Sequence, residues 1–194
     1  MNMKSVMLSI KPQWCEKIAS GEKTIEVRKS APKEVPFKCY IYCCKGKPYL
    51  YRVDDDDNFE LARTLRAKVD GYVKDYNEQN GKVIGEFICN EVERFMVGSL
   101  RSDDIEKLAC LSYNEMISYF YKPEELDGET TKQGFAWHIS NLKIYDEPKE
   151  LNEFQKPCKM ELPMCERCEH YSIWDNRCEN ITRPPQSWCY VEEI

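Results

Sequence analysis

The chain has 194 residues, of which 42% are hydrophobic and 32% are charged, so it is long enough for one core of ordinary size plus a small appendage. Its formal net charge of -6 excludes a protein whose whole surface attracts nucleic acid. No apolar run reaches the roughly 18 residues that span a bilayer, and the first ten residues lack the features of a secretory signal. We therefore expect a soluble, cytoplasmic protein.

Positive charge is concentrated at the start of the chain. Residues 1–53 contain 11 lysine and arginine residues against 4 glutamates, and the remainder is strongly acidic. A basic face can therefore exist on an acidic protein. The alternative is that these lysines are ordinary solvated surface.

The first 45 residues predict a strand, a helix and two more strands. An apolar run at 5–10 is followed by a helical pattern that has Pro12 near its first turn and ends at Gly21. Residues 24–28 alternate between apolar and polar side chains, as a half-buried strand does. The aromatic and β-branched stretch 37–44 predicts the next strand.

Beyond this region, residues 49–57 contain four consecutive aspartates and predict a loop. Apolar residues spaced by three and four then predict an inserted helix near 58–78. Later strands and helices are predicted at 82–97, 102–111, 113–121 and 134–145. Few helices and long connections between strands favour an α+β fold built around a small β-barrel with flanking helices.

One short motif carries most of the chemical information. Residues 21–28 fit the pattern G-x-K-x-x-E-x-R, which places Lys23 in a turn and Glu26 and Arg28 on one face of a strand. The Lys23 ammonium can meet a phosphate, and the planar Arg28 guanidinium can contact an anion or a base edge with two hydrogen bonds. Trp14, on the preceding helix, can stack a base.

The same residues also have a purely structural interpretation. Glu26 and Arg28 can form an ion pair that closes the barrel, with Lys23 lying beside it, and Trp14 can belong to the core. Trp137 and His138, in the last predicted strand, are more typical of packing and hydrogen bonding than of a site.

This motif resembles that of the ASCH family, a branch of the PUA-like fold. The match extends back through residues 8–12 and forward through 83–87 and 135–139, so that the resemblance covers roughly 3–147. It implies one domain over 1–147 whose cleft binds RNA, single-stranded nucleic acid, a modified base or another nucleotide-like molecule. It implies ligand contacts from Ser9, Lys11, Trp14, Lys23, Glu26 and Arg28.

The resemblance also leaves a hydrolytic alternative open. Some relatives are amidohydrolases that act on acylated nucleosides, and part of the family is ribonuclease-like. In the amidohydrolases the lysine works with a threonine and with a distant glutamate that activates water. Here Glu26 stands at the threonine position, and Thr24 directly follows Lys23. An enzyme would therefore use Lys23 and Glu26 as its acid–base pair.

The end of the chain has a different composition. We expect a linker at 148–157 and a cysteine-rich tail at 158–194. Because the chain has 11 cysteines and no secretion signal, reduced thiols and metal binding are favoured over disulfides. The spacing C-x2-C-x9-C-x10-C is typical of a structural zinc site, and so short a segment needs such a source of folding energy. The predicted ligands are Cys165, Cys168, Cys178 and Cys189.

Several alternatives remain for the cysteines. Cys158 or His170 can replace one of the four ligands, and the thiols can instead be packed as small hydrophobic groups or form redox-active disulfides. The tail resembles one attached to ASCH proteins of bacterial and phage genomes. A tail of this kind can also make the protein an interaction adaptor. We interpret the other cysteines as core residues: Cys15, Cys39, Cys43, Cys44, Cys89 and Cys110.

Overall fold

The computed structural model describes residues 3–45, 50–52, 59–61, 66–69, 72–75, 80–125, 131–157 and 180–193. Three α-helices occur in these ranges: α1 (Pro12–Ala19), α2 (Leu100–Leu108) and α3 (Tyr113–Phe120). The first strands are β1 (Ser5–Ile10), β2 (Ile25–Arg28), β3 (Phe37–Cys43), β4 (Leu50–Arg52), β5 (Phe59–Leu61), β6 (Arg66–Val69) and β7 (Tyr72–Asp75). The later strands are β8 (Val83–Cys89), β9 (Val92–Met96), β10 (Gln133–His138), β11 (Ser140–Lys149), β12 (Phe154–Gln155), β13 (Trp188–Tyr190) and β14 (Glu192–Glu193). None of the described helices is long and apolar enough to cross a membrane.

The larger sheet has five strands in the order β11-β8-β3-β1-β13. β1 is parallel to β3, and β13 pairs antiparallel with the other edge of β1, with Met7 opposite Cys189. One face of this sheet packs into the main core, where the rings of Phe37 and Trp137 meet edge to face at 5.1 Å. A short C-terminal strand therefore covers what would otherwise be an open edge at β1.

The smaller sheet has the order β2-β10-β9 and carries the motif strand at its edge. Glu26 pairs with Trp137 across β2 and β10, and Arg28 pairs with Phe135. The neighbouring Ile25 and Val27 point the other way, into a second core that packs against α2 and α3. The strand therefore turns its charged face towards one side of the sheet and its apolar face towards the helices.

Helix α3 begins with a reciprocal cap. The Glu115 carboxylate accepts a hydrogen bond from the Ser112 backbone N–H at 2.9 Å, and the Ser112 hydroxyl oxygen accepts one from the Glu115 N–H at 3.3 Å. These bonds satisfy N–H groups at the first turn, which have no partner within the helix. They fix the start of the helix that borders the cleft described below.

The α+β class and the three helices outside the insertion agree with the sequence-based expectation. The described residues form a five-stranded sheet, a three-stranded sheet and three two-stranded sheets, and these do not make up the predicted closed barrel. The expected half-burial of the motif strand is wrong, because all four residues of β2 are buried. On its polar face, Glu26 and Arg28 form an ion pair with each other, and Arg28 also reaches the Ser9 carbonyl in β1.

The predicted helix near 58–78 is also wrong for the residues described there. They form β5, β6 and β7, and Val69 pairs directly with Tyr72. The sequence between these two residues is Asp-Gly, which is among the strongest hairpin signals. Apolar residues spaced by three and four imitated a helix, while the hairpin signal identified the structure. The rest of 58–78 lies outside the described residues.

The range 148–157 differs from the predicted linker. β11 runs through Lys149, and a 3-10 turn at Leu151–Glu153 leads into β12. Phe154 is fully buried in a third core on the outer face of the larger sheet, with its ring 4.8 Å from that of Tyr40. These residues are therefore part of the folded body.

Residues just before and just after the cysteine-rich stretch, residues 158–179, lie next to each other on this body. Gln155 forms an isolated antiparallel bridge with Asn180, and the Ile181 N–H donates to the Phe154 carbonyl at 2.7 Å. The Asn180 side-chain amide donates to the Asn152 carbonyl at 2.9 Å. The expected tail at 158–194 is therefore wrong in one respect, because its last described residues, 180–193, return to pack on the domain.

We predict that Phe154→Ala lowers the free energy of unfolding by about 3–5 kcal/mol, the usual cost of truncating a buried phenylalanine. Urea denaturation measures the change. Tyr113→Ala is the control, since this aromatic side chain is 56% exposed on α3. A cost within about 0.5 kcal/mol for Phe154→Ala, typical of an exposed position, would show that this segment is a linker after all.

Candidate functional site

A cleft of about 1070 Å³ lies between α1, β2, α3 and the C-terminal segment. All six side chains predicted from the sequence to contact a ligand line it: Ser9, Lys11, Trp14, Lys23, Glu26 and Arg28. They come from the end of β1, from α1 and the turn that follows it, and from β2. The predicted ligand residues are therefore brought together in one place.

Three buried charges form the floor of this cleft, which we call the charged floor: Lys23, Glu26 and Arg28. Lys23 Nζ lies 3.3 Å from Glu26 Oε2, and Arg28 Nη2 lies 2.9 Å from Glu26 Oε1. The three residues are 3%, 6% and 8% exposed, respectively. The single carboxylate is thus shared between two cations, so the charged floor carries a net positive charge.

Each cation of the charged floor also holds a backbone carbonyl from another element. Lys23 Nζ donates to the Ala109 carbonyl, just past α2, at 2.7 Å, and Arg28 Nη2 donates to the Ser9 carbonyl in β1 at 2.7 Å. Arg28 Nε, in contrast, is buried and has no hydrogen-bond partner in the part of the chain that the structure describes. A buried donor without a partner is costly, and it favours an acceptor supplied by a ligand.

Aromatic side chains flank the charged floor. Trp14 is half-buried, with Lys23 Nζ 5.5 Å from its ring centroid. Tyr119 of α3 also lines the cleft, and burial raises the pKa of its phenol. Sequence reasoning missed Tyr119, because the position lies 91 residues from Arg28 and its place in the cleft depends on how α3 packs.

Ser9 has a more structural role than the sequence predicted. Its hydroxyl donates to the Pro185 carbonyl at 2.6 Å, and its backbone N–H donates to the Ser187 carbonyl at 3.0 Å. The C-terminal residues Thr182 and Gln186 also line the cleft. Sequence reasoning missed this wall, since it assigned the whole segment to a separate zinc tail.

The hydrolytic alternative finds little geometric support. Thr24 is exposed and is not among the residues that line the cleft. The lining carboxylates other than Glu26 already have partners: Glu115 caps α3, and Glu150 pairs with Lys82 at 2.9 Å. The Ser112 hydrogen bonds lower the pKa of Glu115. Both carboxylates therefore already have partners, and neither is positioned as a free general base that could activate water.

Trp137 and His138 do not line the cleft. Trp137 is fully buried in the main core, as its structural interpretation expected. His138 Nε2 lies 4.0 Å from a Glu93 carboxylate oxygen on the neighbouring strand. Lys11, in contrast, lines the cleft, where it is exposed immediately before α1.

Of the four predicted zinc ligands, Cys189 is described. It lies in β13, half-buried against the third core, and burial raises the pKa of its thiol. The other predicted or spare ligands lie outside the described residues: Cys158, Cys165, Cys168, His170 and Cys178. The ranges that the structure describes contain no group of three or more potential metal ligands. Of the six cysteines interpreted as core, Cys15, Cys39, Cys43 and Cys89 are buried, and Cys44 and Cys110 are partly exposed.

Comparison with solved structures finds proteins of similar fold over nearly the whole chain. The crystal structure of ASCH from Zymomonas mobilis matches with a TM-score of 0.55 and 18% identity, covering 98% of this chain and 90% of that chain. A mutant of the same protein matches with a TM-score of 0.54 and 18% identity, covering 97% and 91%. A second mutant gives 0.54 and 17% identity, covering 98% and 90%.

No family model matches the sequence, and no curated protein matches it. The structural likeness extends over nearly the whole chain, and at this level of identity it establishes the fold alone. The chain has the fold of the ASCH proteins, as the motif at residues 21–28 predicted.

Proposed function

We propose that the cleft binds single-stranded RNA or a nucleotide-like molecule, with an acceptor group of the ligand on the charged floor and a base on Trp14. The observation that carries this proposal is the buried guanidinium of Arg28, whose Nε has no partner among the described residues. Glu26 balances only one of the two cations there. A phosphate or carbonyl oxygen would complete both the hydrogen bonding and the charge.

The distribution of charge supports an acceptor-bearing ligand. The cations that line the cleft all come from the first 45 residues: Lys11, Lys23, Arg28 and Lys45. The basic excess of the N-terminal region therefore converges on one cleft of an acidic protein. Such local charge attracts phosphate even where the net charge of the protein does not.

The dimensions and the aromatic lining favour a nucleotide. Small-molecule sites usually have volumes of roughly 300–1,000 Å³, and this cleft, at about 1070 Å³, has room for a nucleotide together with part of a neighbouring one. Trp14 and Tyr119 border the charged floor. Stacking on aromatic rings is the usual way in which proteins hold single-stranded bases.

We predict that Trp14→Leu weakens the binding of a short single-stranded RNA by roughly 5- to 150-fold, because stacking is worth about 1–3 kcal/mol per base. Fluorescence anisotropy measures the affinity, and thermal melting checks folding. Tyr113→Leu, an exposed aromatic on α3 that does not line the cleft, should leave binding unchanged. Equal affinities of wild type and a folded Trp14→Leu variant would remove Trp14 from the site.

We predict that Arg28→Lys weakens binding about tenfold or more, since a lost charge-assisted hydrogen bond is worth roughly 1.5–3 kcal/mol. Lysine keeps the charge that Glu26 needs, whereas alanine would strand a buried carboxylate and destabilise the fold. Arg101→Lys is the matched control, because Arg101 makes an exposed ion pair with Glu93.

Binding should also weaken as salt is added, because phosphate contacts release counterions.

The same proteins can be incubated with acylated cytidine and with short RNA, and the products separated by chromatography. Binding without turnover supports the proposal. Turnover that disappears in Lys23→Met, which leaves Arg28 in place, would instead support the hydrolase. Unchanged affinity in a folded Arg28→Lys variant would show that the charged floor is structural only.

We also propose that the cysteine-rich stretch binds zinc through Cys165, Cys168, Cys178 and Cys189. Cys189 packs against the same core as Phe154 and Ile181, which lie where this stretch leaves the body and returns to it. Lys156, at the start of the stretch, is close enough to act electrostatically on the Cys189 thiol. A fourth ligand at this position would tie the metal to the folded domain.

We predict about one zinc ion per chain in protein purified without chelator. Cys165→Ser should release most of the metal, and Cys110→Ser, which removes a partly exposed cysteine elsewhere, should retain it. Elemental analysis gives the ratio. Less than roughly 0.2 equivalents in wild type would contradict a tetrahedral site of this kind.

The adaptor alternative has its own test, namely loss of a co-purifying protein when residues 158–179 are replaced by a short linker.

A further inference from the structure

We infer that residues 182–187, which we call the C-terminal wall, determine which bases the cleft accepts, and that Ser9 positions this wall. The inference rests on the proposed function, since it concerns the same cleft. Thr182, Pro184, Pro185 and Gln186 all line the cleft.

The C-terminal wall and the charged floor offer complementary groups. Pro184 and Pro185 carry no backbone N–H, and their rings restrict φ, so this part of the wall offers apolar ring surfaces and no backbone donor. The charged floor has a net positive charge and a buried donor, Arg28 Nε, that has no hydrogen-bond partner among the described residues. An acceptor such as a phosphate, common to all nucleotides, fits the charged floor. The features that differ between bases are left to the wall.

The C-terminal wall is held at both ends. Before it, the Ile181 N–H donates to the Phe154 carbonyl at 2.7 Å. At its last residue, the Ser187 carbonyl accepts from the Ser9 N–H at 3.0 Å, and the next residue, Trp188, pairs with Leu8 as β13 begins. A segment tied down at both ends can present a defined surface to a ligand, as selectivity requires.

Ser9 connects this wall to the charged floor. Its hydroxyl donates to the Pro185 carbonyl at 2.6 Å, in the middle of the wall. Its own carbonyl accepts from Arg28 Nη2 at 2.7 Å. One residue therefore sets the spacing between Pro185 and Arg28, and a ligand that contacts both surfaces must fit that spacing. Ser9 is a positioning residue, because its hydroxyl proton is directed to Pro185 rather than into the cleft.

The test compares dissociation constants for the four nucleoside 5′-monophosphates AMP, CMP, GMP and UMP, measured by calorimetry. Wild type should discriminate among them. Ser9→Ala should reduce the ratio between the best and the worst nucleotide at least threefold, while binding remains salt-dependent through the charged floor. Gln186→Ala removes only an exposed side chain of the wall and should also reduce the ratio without unfolding the protein.

Ser30→Ala is the matched control. The Ser30 hydroxyl accepts a hydrogen bond from Trp188 Nε1 at 3.1 Å, so it also ties the C-terminal segment to the body, but it does not line the cleft. This variant should melt at a temperature similar to that of Ser9→Ala and keep the wild-type ratio. If wild type binds nucleotides without discrimination, or if Ser9→Ala and Gln186→Ala both keep its ratio, the inference is wrong while the proposed function stands. If wild type binds neither nucleotides nor RNA, the proposed function and the inference both fail.

Discussion

The organisation of the cleft depends on one shared carboxylate. Glu26 holds Lys23 on one side and Arg28 on the other, and both cations reach carbonyl groups in other elements. Burying three charges is costly unless each has partners, so this arrangement requires the end of α2 and the end of β1 to lie in fixed places. The structural and the functional interpretation of the motif are therefore compatible. The ion pair that joins the elements also leaves a net positive charge facing the cleft.

The parts of the site that could be predicted were those encoded locally. The turn at Lys23 and the spacing of Glu26 and Arg28 follow from eight consecutive residues and the two-residue period of a strand. Trp14 could be placed because the preceding helix has clear start and stop signals. Local rules therefore identified the cleft residues that lie close together in the sequence.

The remainder depends on contacts that sequence spacing does not reveal. Tyr119 and Pro185 reach the cleft only because α3 and the C-terminal segment pack beside β2 and β1. The sequence of residues 66–75 allowed both a helical and a hairpin interpretation, and apolar spacing outweighed the Asp-Gly signal. Phe154 was assigned to a linker because its burial partners, such as Tyr40, are more than 100 residues away. Charge and proline content near it resemble those of an exposed connection.

The bridge between Gln155 and Asn180 has a consequence for how such a chain can diversify. Paired strands bring the two sides of the intervening stretch to within about 5 Å of each other. The entropy of closing a flexible loop grows slowly with its length, so doubling that length adds only about 0.6 kcal/mol. Sequences of different length can therefore join these two positions at a similar entropic cost. An exchange of such sequences would take place two residues before Thr182, which lines the cleft.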